Sequence, residues 1–548
     1  MDANYLHKDV KLYFSQRLEH THKKIMTKQS LSIKLCLGLL VNTLLFTPSH
    51  ANDAFNILNT LIKSTRTPAA TNNLRNQAAD INQPAKITRS VVYSGYSKDF
   101  LRIKNLITSK QWAQAYQLQS QKIEHSSSVN FLDSNEAGLL ALDTKNPLNA
   151  IKHFSAAEHF LKVNAEKSFI EDSFFSLGGE ALSLVTGMGD LTQYSGAPFE
   201  RILMLNYKSI AYLLNGERKA YNVTRRAIDW QNIEQKEFVK NIESANKNVA
   251  TTESEILKQT SDNSSTTDNA PVASGNIFQV ISDQYKSSQK KALSVSSAYV
   301  NPFGFYMAGI IQEFDSLEDA SLRDNARISY KKALKLNPRS KVIKQAIREV
   351  KRKPRRGRRL VQVIIADGFA PEKKTLQFGL PMPGGIVPVK LPIYEPVKSK
   401  VAHIKIKSGK KTLATLSTIA DIESIVLRHQ LDSLPLEHFK VMASIARSTA
   451  ENMLWGQLGA LGLIGKSFRE SFAAPDMRAW MSLPKQFLAA RFYVSKRLKN
   501  ITIISYDKRW RRLATKKVSL PKNKHSFVYA RTIDNILNTN VNNTLWVK

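Results

Sequence analysis

The chain has 548 residues, with 80 Lys and Arg against 45 Asp and Glu, a formal net charge of +35, and one Cys. This length excludes a single small domain and predicts two or three domains. The lone Cys excludes a disulfide scaffold and a multi-cysteine zinc or iron–sulfur site. The charge favours nucleic acid, anionic lipid or anionic polymer as a partner, but composition alone does not choose among them.

The N-terminal region has the three parts of a secretory signal. Lysines up to Lys34 precede an apolar run at residues 35–46, and small residues follow at Ser49 and Ala51. The run is too short for a membrane-spanning helix, which needs about 20 residues. We therefore predict that residues 1–51 are a cleaved signal peptide and that the mature chain is periplasmic or otherwise exported. A buried helix is the alternative interpretation of the run.

The same region bears on the start site and on lipid anchoring. Met26 is a more natural start than Met1, because signals usually begin close to the N-terminus. Cys36 follows Lys34 and Leu35, whereas a lipoprotein signal has small residues before its cysteine. We therefore expect neither a lipid anchor nor a spanning helix in the mature chain.

Downstream of the signal, hydrophobic periodicity first predicts a helical part. Residues 52–90 are polar and predict a flexible lead-in. Apolar residues three and four positions apart then predict helices over 91–350. A low-complexity stretch at 259–275 predicts a disordered loop inside this part, because it cannot bury enough apolar area to become ordered.

The period changes after Gly357 to one typical of strands. Alternating residues between Pro and Gly turns predict a basic β-rich domain over 360–535, with a helical insertion at 420–470 and a tail at 536–548. The predicted fold class is therefore α+β, a helical region followed by a β-rich domain. The predicted strands are 360–366, 375–380, 386–391, 401–406, 411–416, 488–494, 501–506 and 526–531.

One spacing recurs within the helical part: an Ala, a second residue four positions later, usually bulky, and an Ala three after that. This pattern is typical of the second helix of a tetratricopeptide repeat, where small residues allow close helix approach and Pro ends the helix. It predicts a tetratricopeptide-like region, with a plain helical bundle as the alternative. The structural residues of the pattern are Ala150, Phe154, Ala157, Ala220, Ala227, Ala326, Tyr330, Ala333 and Pro338.

Short motifs spread over about residues 95–530 resemble a known family. They are GAPFER at 196–201, NPF at 301–303, DNAR at 324–327, DGFAPEK at 367–373, LPIYEP at 391–396 and DMRAW at 476–480. Together they resemble a bacterial family of uncharacterised secreted proteins with tetratricopeptide-like repeats, many of them lipoproteins. The resemblance implies an envelope location and a helical-repeat part followed by a β-containing part. It implies no catalytic residues.

Candidate catalytic and metal-binding patterns are few. Residues 460–467 fit a permissive phosphate-loop pattern, but a helical pattern precedes them where that loop needs a strand, so we reject it. No histidines have metal-ligand spacing, and we expect no metal, no cofactor and no enzymatic activity. Asp476, Arg478 and Trp480 are interpreted as a brace at a domain junction, with a pocket as the alternative.

The positive charge is concentrated in two segments. Residues 341–411 carry 19 Lys and Arg against 4 acids, and residues 485–525 carry 13 against 1. These segments predict contacts to anions, and the second places Trp510 among cations, as in a stacking site. A solvated linker and a hairpin tip are the alternatives. The candidate anion-binding residues are Lys351, Arg352, Lys353, Arg355, Arg356, Arg358, Arg359, Lys508, Arg509, Arg511 and Arg512.

These observations lead to two functional hypotheses. The first is a non-enzymatic envelope protein that binds another protein or a peptide through its helical-repeat surface, with Arg201, Tyr207 and Lys208 as candidate contacts. The second is a binder of anionic lipid, lipopolysaccharide or cell-wall polymer through the basic β-rich domain. Binding of nucleic acid is a weaker variant of the second hypothesis, because it requires the signal peptide interpretation to be wrong, and an enzyme comes third.

Overall fold

Helices occupy the first part of the chain and strands dominate the second, so the fold is mixed α+β. The computed structural model describes residues 89–124, 130–175, 194–261, 274–316, 319–352, 357–382, 385–438, 441, 475–521 and 525–542. All of them belong to one compact unit, Ile87–Lys548. None of the helices in these ranges is long and apolar enough to cross a membrane.

The helices follow one another between Gly95 and Val350, as the periodicity predicts. Several begin where the sequence supplies a cap: Asn130 accepts a hydrogen bond from the N–H of Asp133, and Asn301 accepts one from Phe303. They are α1 (Gly95–Thr108), α2 (Trp112–Glu124), α3 (Phe131–Asp143), α4 (Pro147–Phe175), α5 (Pro198–Leu214), α6 (Lys219–Ser261), α7 (Ser274–Asp283), α8 (Lys286–Ala292), α9 (Pro302–Asp315), α10 (Leu322–Leu336) and α11 (Lys341–Val350).

Three helical hairpins, α3–α4, α5–α6 and α9–α10, contain the repeated Ala spacing in their second helices. In two of these hairpins, a glycine of the first helix packs against an aromatic ring of the second helix. A Cβ added to Gly138 would lie 2.6 Å from the ring of Phe154, and one added to Gly309 would lie 2.4 Å from the ring of Tyr330. The Ala and aromatic residues of the pattern are fully buried, whereas Pro338 is exposed just after α10 ends. The pattern therefore marks close helix packing.

The strands form three sheets. A three-stranded sheet has the order β1-β3-β4, a four-stranded sheet has the order β10-β9-β5-β6, and a five-stranded sheet has the order β12-β11-β2-β8-β7. All neighbours are antiparallel except β11 and β2. The strands are β1 (Ser90–Val92), β2 (Arg358–Asp367), β3 (Lys373–Met382), β4 (Gly385–Tyr394), β5 (His403–Ser408), β6 (Lys411–Thr415), β7 (Ser417–Asp421), β8 (Gln486–Ser495), β9 (Asn500–Tyr506), β10 (Arg512–Ser519), β11 (His525–Ile533) and β12 (Ile536–Val541).

The five-stranded sheet is buried on both faces and lies at the centre of three layers. Along β2, Leu360 and Ile364 belong to the core shared with the helices, whereas Val361, Val363 and Ile365 belong to the core shared with the four-stranded sheet. Successive side chains of a strand point to opposite faces, which assigns one face to each layer. The hydrophobic core of the helical part therefore extends onto the five-stranded sheet, across the domain boundary that the sequence predicts at 350–360.

Several sequence predictions need correction. The predicted tail contains β12, because Ile536 and its neighbours pair with β11. Residues 259–261 and 274–275 of the predicted loop are helical, and 262–273 lie outside the described residues. The lead-in ends in β1, which starts at Ser90. Of the helical insertion, the structure describes α12 (Ile422–Asp432) and a short helical stretch at 434–438, whereas residues 420–421 belong to β7. The signal peptide and residues 460–467 lie outside the described ranges.

Candidate functional site

The outer face of the four-stranded sheet brings together the basic part of the strand-rich region. In β5, Ile404 and Ile406 are buried in the core between the two sheets. His403, Lys405 and Lys407 alternate with them and therefore project from the opposite face, where they are partly exposed. This sheet thus has one apolar face toward the protein and one polar, positively charged face toward solvent. We call the latter the basic face.

The turn between β9 and β10 adds an aromatic side chain to the basic face. The indole of Trp510 stacks on the imidazole of His403, with 4.1 Å between ring centroids and 6° between planes. The ammonium nitrogen of Lys405 lies 4.1 Å from the centroid of the indole, a cation–π contact. Tyr506 contacts the indole at a tilt, with centroids 5.6 Å apart. Trp510 remains 49% exposed.

Positive charge on the basic face and its rim is mostly unneutralised. Asp507 is the one acid in the pairs of strands β5–β6 and β9–β10, and its carboxylate accepts a hydrogen bond from Arg511 at 2.7 Å. Burial favours a higher pKa for Asp507, but hydrogen bonds from Arg511 and Arg509 lower that pKa, so the carboxylate is ionised. Within the described part of the chain, the other cations here have no ion pair: Lys405, Lys407, Lys410, Lys411, Lys508, Arg509, Arg512, Lys516 and Lys517.

The first candidate anion-binding segment is less uniform than the sequence indicates. Lys351, Arg352 and Arg358 are exposed, whereas Lys353, Arg355 and Arg356 lie outside the described residues. The prediction is wrong for Arg359, which is 1% exposed and donates hydrogen bonds to the carbonyl oxygens of Leu498 and Pro521. Its guanidinium therefore serves to hold two turns and is not available to an external anion.

The second candidate segment is exposed. Lys508, Arg509, Arg511 and Arg512 all lie at the surface around Trp510. Sequence reasoning recognised this turn but missed its partners. His403, Lys405 and Lys407 occupy a strand about 100 residues earlier, and only the antiparallel pairing of β5 with β9 brings them to the same face. The sequence feature that indicates a shared face for these three residues is the alternation of Ile with His and Lys in β5. Lys517, opposite Thr502 in β10, also lies on this face and was missed because β10 was not predicted, whereas Lys516 lies opposite Ile503 and projects from the other side of this edge strand.

The proposed protein-binding residues prove to be internal. Tyr207 is fully buried and packs against Trp480 and Phe487, with ring centroids 5.7 Å apart in both cases. Lys208 is 5% exposed and donates to the carboxylate of Glu158 at 2.7 Å. The prediction that these two residues form an outer binding surface is wrong, because α5 lies between its neighbouring helices and the five-stranded sheet.

Arg201 is the third of those residues. It is partly buried, with its guanidinium donating to the Glu234 carboxylate and to the carbonyl oxygen of Gly196 at 2.7 Å. The contacts fix α5 against α6 and leave little of the guanidinium for a partner. None of the three residues therefore forms part of an open groove in the described structure.

A buried junction joins α3 and α5 to the segment before β8. The N–H of Trp480 donates to Glu200 at 2.8 Å, and the N–H of Met481 donates to Glu136 at 2.6 Å. Arg478 forms a two-pronged ion pair with Asp476. Trp480 therefore contributes to the junction as the brace interpretation predicts, whereas the Asp476–Arg478 ion pair lies within one segment.

Burial changes the ionisation of this junction. It raises the pKa of Glu136 to about 8, although hydrogen bonds from Ser482 and the N–H of Met481 lower that pKa in part. It also raises the pKa of Asp143 to about 7, with nearby Arg531 acting in the opposite direction. The cause is the cost of placing a charged carboxylate where water cannot reach it.

A second buried junction joins α9 to the five-stranded sheet. Arg491 of β8 is fully buried and donates to Glu313 of α9 at 2.8 and 3.1 Å and to Glu349 at 3.1 Å. Gln362 and Tyr330 donate to the same Glu313 carboxylate. The five side chains therefore form one buried, hydrogen-bonded cluster that joins the helical layer to the sheet.

Two further features of the described residues bear on chemistry, a small recess and the grouping of possible metal ligands. A recess beside Glu313 and His525 leaves about 10 Å³ for the centre of a water molecule, which is barely room for one. In the described ranges no group of three or more His, Cys, Asp or Glu side chains is placed to hold a metal ion. The basic face is therefore the best candidate functional site.

No protein-family model, curated protein or solved structure matches this chain. The resemblance to secreted tetratricopeptide-like proteins thus remains a prediction from the sequence, and the basic face must be interpreted on its own chemistry.

Proposed function

We propose that this protein is a non-enzymatic, exported cell-envelope protein that binds an anionic polymer or lipid head group through its basic face. The observation that carries the proposal is the set of exposed and partly exposed cations on the outer layer, of which, among the residues that the structure describes, only Arg511 is paired with an acid. Unpaired cations on one face create a positive potential that attracts phosphates or carboxylates and repels other cations.

The position of the basic face also supports the proposal. The sheet's other face is held by Ile404, Ile406, Ile501 and Ile503 against the central sheet. The cations are therefore carried on a rigid layer, and a ligand would not have to order a flexible loop before it binds. Export of the chain, proposed from the signal-like N-terminus, would make lipopolysaccharide, anionic lipid and cell-wall polymer the accessible partners.

The proposal can be tested with a variant in which Lys405, Lys407, Arg512 and Lys517 are replaced by Gln. Each cation near an anionic surface contributes about 1 kcal/mol, so losing four predicts several hundredfold weaker binding to anionic vesicles or lipopolysaccharide at low salt. Vesicle sedimentation measures this directly. Equal binding by the variant and the unmodified protein would reject the proposal.

A matched control removes four exposed cations from the helical layer instead. Lys331, Lys335, Arg339 and Lys344 are all exposed on or next to α10 and α11. Replacing them by Gln changes the net charge by the same amount but leaves the basic face intact. We expect binding within about threefold of the unmodified protein, because charges more than a Debye length of ~8–10 Å away are largely screened at physiological salt.

We also propose that the hairpins α3–α4, α5–α6 and α9–α10 are tetratricopeptide-like. The support is the pairing of a small residue on a first helix with an aromatic on a second, at Gly138 with Phe154 and at Gly309 with Tyr330. The second helices carry the buried Ala residues at the expected spacing. This arrangement lets the helices of a pair approach closely over several turns.

A protein partner on the helical layer is the second candidate function. The first helices are covered by the chain's own sheet, so a partner would have to use the second helices. Leu148, Ile233 and Ile328 lie on these and are 61%, 55% and 48% exposed. Replacing all three by Ser should abolish capture of a specific partner from envelope extract, and capture that persists would reject this candidate.

A further inference from the structure

The backbone at Trp510 has a conformation that its residue type disfavours. Its φ is +61°, in the left-handed region where a large side chain is uncommon and glycine is usual. The turn around it is held firmly: the carboxylate of Asp507 accepts from the N–H groups of Arg509 and Arg511, and the carbonyl oxygen of Asp507 accepts from the N–H of Trp510. Such backbone conformations are concentrated at functional sites, and here the turn fixes the direction in which the indole projects.

The indole is also presented in a particular way. It lies parallel to the imidazole of His403 and has the ammonium group of Lys405 over its ring, and these two contacts fix its plane next to strand β5. Nearly half of its surface is nonetheless exposed. A flat aromatic surface, held in place and open to solvent, is suited to stacking against a planar or ring-shaped ligand.

We propose, on the basis of the proposed function above, that Trp510 stacks on one sugar ring of a phosphorylated glycan, while the surrounding cations contact the phosphate groups of that glycan. A membrane surface fits less well, because His403 and Lys405 contact the indole and cover about half of its surface. A single-stranded nucleic acid also fits less well. Sites for nucleic acid stack successive bases on several aromatics, and on the described basic face Trp510 is the one aromatic that is more than one-third exposed.

Three probes separate charge from stacking. Polyphosphate has phosphates but no rings, the phosphorylated core oligosaccharide of lipopolysaccharide has both phosphates and sugar rings, and oligodeoxythymidine has phosphates and bases. The variant Trp510→Asn removes the aromatic, and Asn tolerates the left-handed conformation. Trp510→Phe retains an aromatic ring. Circular dichroism and the unfolding midpoint establish that both variants are folded.

We expect Trp510→Asn to bind the core oligosaccharide about tenfold more weakly, as for loss of one stacking contact, and to bind polyphosphate with unchanged affinity. Trp510→Phe should recover most of the loss. Binding of all three probes with no effect of Trp510→Asn would overturn the stacking proposal and leave the proposed function standing. A larger loss for oligodeoxythymidine than for the oligosaccharide would replace the glycan by nucleic acid. Failure of the unmodified protein to bind any probe would reject the proposed function itself.

Discussion

Removing Arg491 should destabilise the protein strongly, because Arg491 links the helical layer to the central sheet. Its side chain is fully buried, and its main partner Glu313 has a side chain that is 6% exposed. Of its hydrogen bonds to described residues, the Glu313 carboxylate would retain in the variant Arg491→Met those from Gln362 and Tyr330. Breaking one side of a buried ion pair costs about 3–5 kcal/mol, since an uncompensated charge is left inside.

Urea unfolding, followed by far-ultraviolet circular dichroism, measures this loss. A matched control is Arg511→Met, which removes an ion pair with Asp507 whose arginine side chain is 74% exposed. Exposed pairs contribute about 0–1 kcal/mol, so the control should unfold at nearly the same urea concentration as the unmodified protein. The double variant Arg491→Met/Glu313→Gln removes the stranded charge and should regain most of the lost stability.

Two results would refute this reasoning. One is a loss for Arg491→Met no greater than that for Arg511→Met, which would mean that the buried pair does not join the two layers. The other is a double variant as unstable as Arg491→Met alone, which would mean that the loss does not come from the stranded Glu313 charge.

Three further predictions concern the packing and the buried polar groups. Gly138→Ala should lower the free energy of unfolding by about 1–3 kcal/mol, because the new Cβ would lie 2.6 Å from the Phe154 ring. In a protein that already carries Phe154→Leu, Gly138→Ala should cost less than it does in the unmodified protein, because the ring is gone. Burial raises the pKa of Glu136 in the folded state above its ordinary value of 4.5, so the folded state holds this proton more tightly than the unfolded state does. The free energy of unfolding should therefore fall by up to about 1.4 kcal/mol per pH unit as pH rises from 4.5 toward 8. Calorimetry should show a flatter pH dependence for Glu136→Gln, and an unaltered slope would refute this assignment. Finally, Arg359→Gln should lower stability by about 1–3 kcal/mol without weakening polyanion binding, and Arg358→Gln, at an exposed neighbouring position, should leave stability unchanged.

Much of the secondary structure could be predicted because the hydrophobic pattern of each segment favours the same helix or strand that the segment adopts in the folded protein. In β2 the predicted strand 360–366 lies within the observed Arg358–Asp367, since a run of Val, Ile and Leu between Gly357 and Gly368 has few alternatives. By contrast, β10 was missed because Lys516 and Lys517 are adjacent and interrupt the alternation. Its position in the sheet comes from pairing with β9 rather than from any local hydrophobic pattern.

The packing of the helices and sheets into layers could not be predicted, because the sequence does not show which side chain a buried polar residue contacts. Arg491 occupies a strand position that alternation assigns to an inner face, but nothing in the sequence indicates that Glu313, 178 residues away, neutralises it. The same limit applies to the site. Trp510 among cations was visible in the sequence, whereas its stacking on His403 depends on a strand pairing over about 100 residues.

The central claim is that the basic face binds polyanions, and the most direct test is the salt dependence of polyphosphate binding. For a flexible polyanion the logarithm of the binding constant falls by about 0.7 per cation–phosphate contact for each tenfold rise in salt. Replacing Lys405, Lys407, Arg512 and Lys517 by Gln should therefore weaken binding at low salt and reduce this slope by about 3. A variant with the slope and affinity of the unmodified protein would contradict the account.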